Sequence, residues 1–325
     1  MTTQVRDSVA LSALEGTNPI GFLAALGALS CLDRAGRSPT LQWVDDNLVP
    51  TAVVTGTTSI DELVSVIDDD RAWWASESIT LGWEAMPDVK ADPTVLHEWS
   101  SAVRKAWEDR PDAWRFADLR LWTALTAEGA LAGKGNAKPT HLHFTAGQQQ
   151  FLVMARTLAA SLDADRIRNA LAGPWRYEVG LPSFGWDARG ERLYALRASD
   201  PSKEKRPGVP GADWLALLGL AFFPVAARGG RLVTTGCGRD WKTARFRWPL
   251  WKLPATTRAI AGLVGDRCFS AEGEELRRSL PRLAGRGVFT VLEAPIRRSD
   301  QGGYGSFGAP TGVLHLRRAG AGARR

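Results

Sequence analysis

Residues 19–35 contain almost no polar position. Large aliphatic side chains recur there at helical spacing, at Ile20, Leu23, Leu26 and Leu29. Glycine and alanine fill most of the intervening positions. Asn18 or Thr17 can cap a helix at its N-terminus, and Pro19 suits the first helical position. Because a helix without a polar face is packed on several sides, this pattern predicts a buried helix over 18–35 at the centre of the fold.

Shorter patterns predict further elements on both sides of that helix. Apolar runs bounded by turn residues predict strands over residues 11–14, 41–44 and 52–55. Capping side chains predict helices that begin after Ser59, Asp92 and Asp163. Two further apolar stretches predict helices over residues 148–161 and 213–220.

After residue 174 the pattern changes toward short strands and turns. Residues 243–248 alternate cleanly, with Phe246 and Trp248 on one face and Arg245 and Arg247 on the other. We expect this strand to pair with a second one over residues 231–235. Mixed helices and mostly antiparallel strands around a central buried N-terminal helix predict an α+β fold.

A glycine-rich segment, GALAGKGNAKPT at residues 129–140, divides the chain. Such segments favour loops, so we place a flexible boundary here. The predicted units are an acidic N-terminal α+β domain over residues 1–135 and a basic C-terminal α+β domain over residues 136–325. The terminal sequence RRAGAGARR predicts a disordered basic tail from about residue 317.

Charge separates the two parts of the chain. Residues 1–150 hold 12 Lys and Arg against 20 Asp and Glu, a net charge of −8. Residues 151–325 hold 29 against 15, a net charge of +14, and most of these cations are arginine. A guanidinium binds phosphate through two donors and stacks on bases. The basic part therefore predicts contact with RNA or DNA, and the acidic part is expected to contact protein partners.

The basic residues of the second part interleave with aromatic side chains, as is typical of proteins that bind single strands. Arg245 and Arg247 are the sharpest candidates, because both project from the face opposite the apolar one. That assignment requires that acids of this chain do not pair with both of them. The predicted nucleic-acid-binding residues are Arg189, Arg192, Arg197, Lys203, Lys205, Arg206, Arg239, Lys242, Arg245, Arg247, Lys252, Arg297 and Arg298.

Few residues form a catalytic or metal-binding pattern. His141 and His143 could act as an acid/base pair in RNA cleavage or begin a metal site, but no carboxylate stands at a familiar ligand spacing. We predict that neither histidine is catalytic. GYGSFG at residues 303–308 lacks the helix and strand that follow a dinucleotide-binding loop, which leaves a glycine-rich hairpin or a loop that approaches phosphates. No cofactor or metal is predicted.

The expected cellular compartment rests on sequence features that are absent. No run approaches the 18 or more apolar residues of a membrane span, and the N-terminus has no secretory pattern. Cys31, Cys237 and Cys268 are widely separated and form no metal-type pair. We expect a cytoplasmic protein with reduced cysteines and no membrane partner.

Four segments resemble one protein family. NPIGFLAALG at residues 18–27 is similar to the N-terminal Asn-Pro…Leu-Gly helix of large-subunit-type proteins from type I-U (also called I-G) CRISPR systems. Three later segments resemble the shorter such protein in the same order: HFTAGQQ at 143–149, DWLALLGL at 213–220 with Phe223-Pro224 after it, and FRWPLWKLP at 246–254. The resemblance implies a non-catalytic subunit of a Cascade-like, crRNA-guided antiviral complex, with other effector subunits and a helicase–nuclease as partners.

The favoured function is thus a subunit that binds guide RNA, target DNA or both. One alternative is a guide-processing endoribonuclease that uses His141 or His143. Another is a cytoplasmic scaffold protein that binds no nucleic acid. A steep loss of affinity with salt would separate the favoured function from the scaffold. Cleavage of labelled repeat RNA in EDTA would identify the ribonuclease.

Overall fold

The computed structural model describes residues 8–45, 49–86, 88–133, 135–145, 149–190, 207–238, 241–271, 273–298 and 304–315. The α-helices are α1 (Pro19–Arg34), α2 (Ile60–Ser76), α3 (Ile79–Gly82), α4 (Pro93–Asp109), α5 (Ala113–Leu125), α6 (Phe151–Ser161), α7 (Ala164–Ala172), α8 (Pro210–Gly219), α9 (Thr257–Val264), α10 (Gly273–Arg278) and α11 (Leu280–Gly285). The strands are β1 (Ser8–Glu15), β2 (Leu41–Val44), β3 (Thr51–Thr55), β4 (Thr126–Leu131), β5 (Ala137–Pro139), β6 (Val225–Arg228), β7 (Arg231–Thr234), β8 (Arg245–Trp251), β9 (Val288–Arg298), β10 (Gly305–Phe307) and β11 (Thr311–His315).

The strands form small antiparallel sheets throughout the described ranges. In the N-terminal sheet, β3 lies between β1 and β2. In the C-terminal sheet, β8 pairs along one edge of β9, and β10 and β11 pair along the other. β4 with β5 and β6 with β7 make two hairpins. Together with the helices, these sheets confirm the α+β fold with mostly antiparallel strands.

The first turn of three helices follows the predicted capping. Ser59 accepts a hydrogen bond from the backbone N–H of Glu62 at the start of α2, at 3.1 Å. The Asp92 carboxylate does the same for α4, and the Asp163 carboxylate does so for α7. Each oxygen satisfies a donor that has no partner within its helix.

The helix α1 lies at the centre of the core, as its apolar pattern predicts. Residues 19–32 are all buried, and the helix packs against α8, whose residues are also all buried. Glycine permits this contact. A Cβ added at Gly27 would lie 1.9 Å from the Leu215 carbonyl oxygen, and one at Gly219 would lie 2.1 Å from that of Leu23. The two helices therefore meet backbone to backbone.

Aromatic rings extend the core from α1 into both sheets. The ring of Phe22 lies 5.9 Å from that of Trp43 on β2, and 6.0 and 6.3 Å from those of Trp248 and Trp251 on β8. The Trp248 indole, which the strand alternation predicts as core, is fully buried and donates to the Gly16 carbonyl oxygen at 2.9 Å. The two predicted domains thus contribute to one hydrophobic cluster. The boundary at residue 135 stays a prediction.

One predicted strand pairing is wrong. β7 pairs with β6, and β8 pairs with β9; a single bridge between Cys237 and Phe246 links β8 to the segment after β7. Gly229 and Gly230 join β6 to β7, both with positive φ, and two such residues make the tight turn that favours pairing with the adjacent strand.

The glycine-rich segment that we predicted as a flexible boundary contains the end of β4 and all of β5, which pair with each other. The predicted disordered tail from about residue 317 lies outside the described residues.

Candidate nucleic-acid interface

Arg245 is exposed on β8 and Arg247 is partly buried, and the Glu293 carboxylate pairs with both of them. Glu293 faces Arg247 across the β8–β9 ladder. Arg245 donates to one oxygen of its carboxylate and Arg247 to the other, and Arg247 also donates to the Ala271 carbonyl oxygen. Our assignment of these two arginines to phosphates required that acids of this chain do not pair with both of them. Glu293 does pair with both, so the prediction that they bind phosphate together is wrong. The sequence of β8 alone could not show this, because the acid comes from the neighbouring strand.

The Glu293 carboxylate is ionised within this cluster. Burial raises the pKa of Glu293, but the hydrogen bonds and charges of Arg245 and Arg247 outweigh that effect and hold the pKa below its ordinary value. Glu293 is only 6% exposed, and its charge-assisted hydrogen bond with the partly buried Arg247 is shielded from water more than the one with the exposed Arg245. The cluster therefore stabilises the pairing of β8 with β9.

The other predicted basic residues are spread over several surroundings. Arg189 forms ion pairs with Glu15 and Asp187. The Lys252 ammonium lies 5.0 Å from the ring centre of Phe289. Two more are exposed: Lys242 and Arg297. Six lie outside the described residues: Arg192, Arg197, Lys203, Lys205, Arg206 and Arg239.

Among the predicted residues, Arg298 contacts an aromatic ring and two backbone carbonyl groups. Its guanidinium carbon lies 3.7 Å from the ring centre of Trp241, so the two planar groups are in stacking contact. One terminal nitrogen donates to the His141 carbonyl oxygen at 2.8 Å and the other to that of His143 at 3.1 Å. Burial lowers the pKa of Arg298 to about 10, which leaves it charged at neutral pH.

A groove of about 960 Å³ opens beside this pair, and its charged lining is basic. Lys90 precedes α4, Lys138 lies on β5, Arg231 on β7 and Trp241 before β8, and all four side chains line it. No acidic residue occurs in the part of the lining that the structure describes. Lys90 also interacts electrostatically with Asp88, which lies outside the lining, but Lys138 and Arg231 add to a local positive potential that attracts an anion. This lining therefore suits a polyanion.

A second groove, of about 1200 Å³, also has Arg231 in its lining. Its lining is mixed, because Arg228 and Arg267 occur together with Glu274 and Glu275. Carboxylates repel phosphates and compete for the same arginines. Of the two, the groove beside Trp241 is the better candidate for nucleic acid.

Sequence reasoning missed three of the cations in the basic groove. Lys90 and Lys138 belong to the acidic part of the chain, and Arg231 was assigned only to a strand. One feature of the sequence could have pointed to Lys138 as a binding residue. It belongs to the glycine-rich segment at 129–140, where basic residues stand next to the glycines. Charge summed over half the chain hides such residues, since folding brings together cations from both halves.

The two histidines lie in and just after a turn, and they face different partners. The His141 Nδ1 lies 2.8 Å from the Thr234 hydroxyl oxygen. The His143 Nε2 lies 2.8 Å from Asp88, and because that carboxylate only accepts, Nε2 carries the proton. Both rings are buried, and burial lowers the pKa of His143, against the opposing effect of Asp88. That neither is catalytic stays a prediction.

The GYGSFG segment contributes a strand where the structure describes it. Gly305 begins β10, which pairs with the end of β9, and a Cβ there would lie 2.3 Å from the ring of Phe144. Phe307 is fully buried. This part of the segment therefore packs on the core, as in the hairpin interpretation.

Comparison with known proteins identifies no relative. No family model, curated protein or solved structure matches the chain.

Among the described residues, no group of three or more His, Cys, Asp and Glu side chains could hold a metal ion. Nor does any helix in these ranges have the length and apolar character needed to cross a membrane. The three cysteines of the chain, Cys31, Cys237 and Cys268, are buried and form no disulfide bond.

Proposed function

We propose that this protein is a non-catalytic subunit of a cytoplasmic, crRNA-guided CRISPR effector complex, in which it binds guide RNA or target DNA. The observation that supports nucleic-acid binding best is the basic groove, with Lys90, Lys138, Arg231 and the exposed Trp241 in its lining. Phosphates suit the cations, and bases suit the ring.

The CRISPR assignment is supported by the sequence resemblance of four segments in a common order. Two of them form the centre of the fold, since NPIGFLAALG begins α1 and DWLALLGL forms most of α8. These are packing motifs, and the resemblance therefore bears on architecture more directly than on the groove.

Binding to labelled single strands over a range of salt concentrations tests the proposed function. In the double variant Lys138→Glu, Arg231→Glu, two groove cations become acids. The matched control is Arg258→Glu, Arg277→Glu, which changes the charge equally at exposed positions of α9 and α10. We expect the groove variant to bind more weakly to all sequences and the control to bind nearly as the unaltered protein does.

The salt dependence provides a second readout. Each lost phosphate contact lowers the slope of log affinity against log salt by about 0.7–0.9, the lower figure applying to a single strand. A groove variant with both contacts removed should therefore have a slope lower by roughly 1.4. Equal effects of the groove and control variants would refute the groove as the binding site. Unaltered protein that binds no RNA or DNA would refute the function and favour the scaffold alternative.

Membership of a CRISPR complex needs a separate experiment. Tagged protein expressed from its own genomic neighbourhood should co-purify with the neighbouring effector subunits and with guide RNA. Recovery of the protein without either would contradict this part of the proposal, and would leave nucleic-acid binding to be judged on the groove alone.

A further inference from the structure

Trp241 differs from most tryptophans of the described chain in its exposure. It is 37% exposed, whereas Trp43, Trp99, Trp186, Trp214, Trp248 and Trp251 are each less than 2% exposed. An exposed indole leaves apolar surface in water, which costs free energy unless a partner covers it. The side chain also lines the basic groove.

The ring of Trp241 is held in place by its surroundings. Arg298 stacks on it at 3.7 Å, and two backbone carbonyls fix that guanidinium. The ring centre of His141 lies 5.2 Å away at an interplanar angle of 50°. His141 is itself held by the Thr234 hydroxyl. A ring fixed in this way loses little conformational entropy when a ligand stacks on it.

Lys138 and Arg231 line the same groove as the Trp241 ring. Lys138 donates to the Gly230 carbonyl oxygen at 3.2 Å, which fixes its ammonium between β5 and the β6–β7 turn, and Arg231 follows that turn. A base on the indole would thus have its flanking phosphates in a basic groove. Bases in a duplex are already stacked on one another, so only an unpaired base can use the ring.

From this geometry we infer that Trp241, backed by Arg298, is a stacking platform for an unpaired base of a single-stranded nucleic acid. The inference rests on the proposed nucleic-acid-binding function, and it adds that the ligand is a single strand and that the ring contacts a base. Such a contact is tolerant of sequence, because every base presents a flat aromatic face.

The test compares a labelled single strand, the same strand with abasic sites throughout, and the matching duplex. The variants are Trp241→Ala, Trp241→Phe and the control Phe116→Ala, which removes an exposed aromatic ring of α5 outside the groove. We expect Trp241→Ala to weaken single-strand binding about five- to 150-fold, the range of one lost base–aromatic stack. Trp241→Phe should retain most of the affinity, and Phe116→Ala all of it.

Three readouts separate stacking from a merely structural role. The abasic strand should bind Trp241→Ala and the unaltered protein equally, and the duplex should bind both equally. The salt slope of Trp241→Ala should stay unchanged, because no phosphate contact is lost. An equal loss on the abasic strand, or no loss on the intact strand, would overturn the stacking inference while leaving the groove intact. Unaltered protein that binds none of the three ligands would instead refute the proposed function, and this inference with it.

Discussion

Replacement of Gly27 by Ala tests whether α1 and α8 meet backbone to backbone. The added Cβ would lie 1.9 Å from the Leu215 carbonyl oxygen and 2.7 Å from its carbonyl carbon. Ordinary contact begins at 3.4 Å, so the helices would have to separate locally by about 1.5 Å. Neither can yield easily, because residues 19–32 of α1 and all of α8 are buried.

The magnitude follows from two opposing effects. Alanine favours a helix over glycine by about 1 kcal/mol. Overpacking of a core costs about 1–3 kcal/mol and occasionally more, and a clash with backbone lies at the upper end of that range or beyond it. We therefore expect the free energy of unfolding to fall by at least about 2 kcal/mol. For a chain of this size the melting temperature should fall by roughly 3 °C or more.

Thermal unfolding monitored by circular dichroism provides the assay, with Gly262→Ala as the matched control. Gly262 lies on α9, and a Cβ there would have nothing within 4 Å. The control should gain about 0.5–1 kcal/mol from helix propensity. Gly219→Ala should resemble Gly27→Ala, and the double variant should lose less than the sum, because one separation of the helices relieves both clashes. A Gly27→Ala variant as stable as the Gly262→Ala control would refute the close approach of the helices.

Two ion-pair clusters give further predictions. Because the pKa of Glu293 is lowered on folding, its pairing with Arg245 and Arg247 stabilises the protein above the ordinary value of 4.5, and this contribution is lost as the pH falls through the lowered pKa. Glu293→Gln should therefore be less stable at neutral pH, and should lose less stability than the unaltered protein on acidification below 4.5; parallel acid-unfolding curves would contradict this. The buried carboxylate of Asp70 receives two hydrogen bonds from Arg34, at 2.6 and 2.7 Å, so Asp70→Ala should cost about 3–5 kcal/mol by leaving a buried charge unpaired. Chemical denaturation should show that removing both partners, as Arg34→Met with Asp70→Leu, costs less than removing Asp70 alone, and a larger loss in the double variant would refute the pairing argument.

Much of the secondary structure could be predicted because its causes are local. The apolar run of α1, its proline in the first turn and the caps at Ser59, Asp92 and Asp163 act within a few residues of the chain. The burial of Trp248 also followed from strand alternation, since the two faces of β8 differ in polarity within the strand itself.

Strand pairing and the candidate site depended on contacts between distant residues. No local pattern distinguishes a cation that reaches a ligand from one that pairs with an acid on the neighbouring strand, which is why Arg245 and Arg247 were favoured and Glu293 was not considered. In the same way Lys90, Lys138 and Arg231 come from three separate parts of the chain and line one groove only after folding.

Local polarity and capping therefore determined which segments are helices or strands and which face of each is buried. Only the tertiary structure decided the partner of each charge and the surroundings of Trp241. The physical reason is that burial is decided largely by the side chain itself, whereas an electrostatic or stacking contact depends on the distance between two groups, and the fold alone sets that distance.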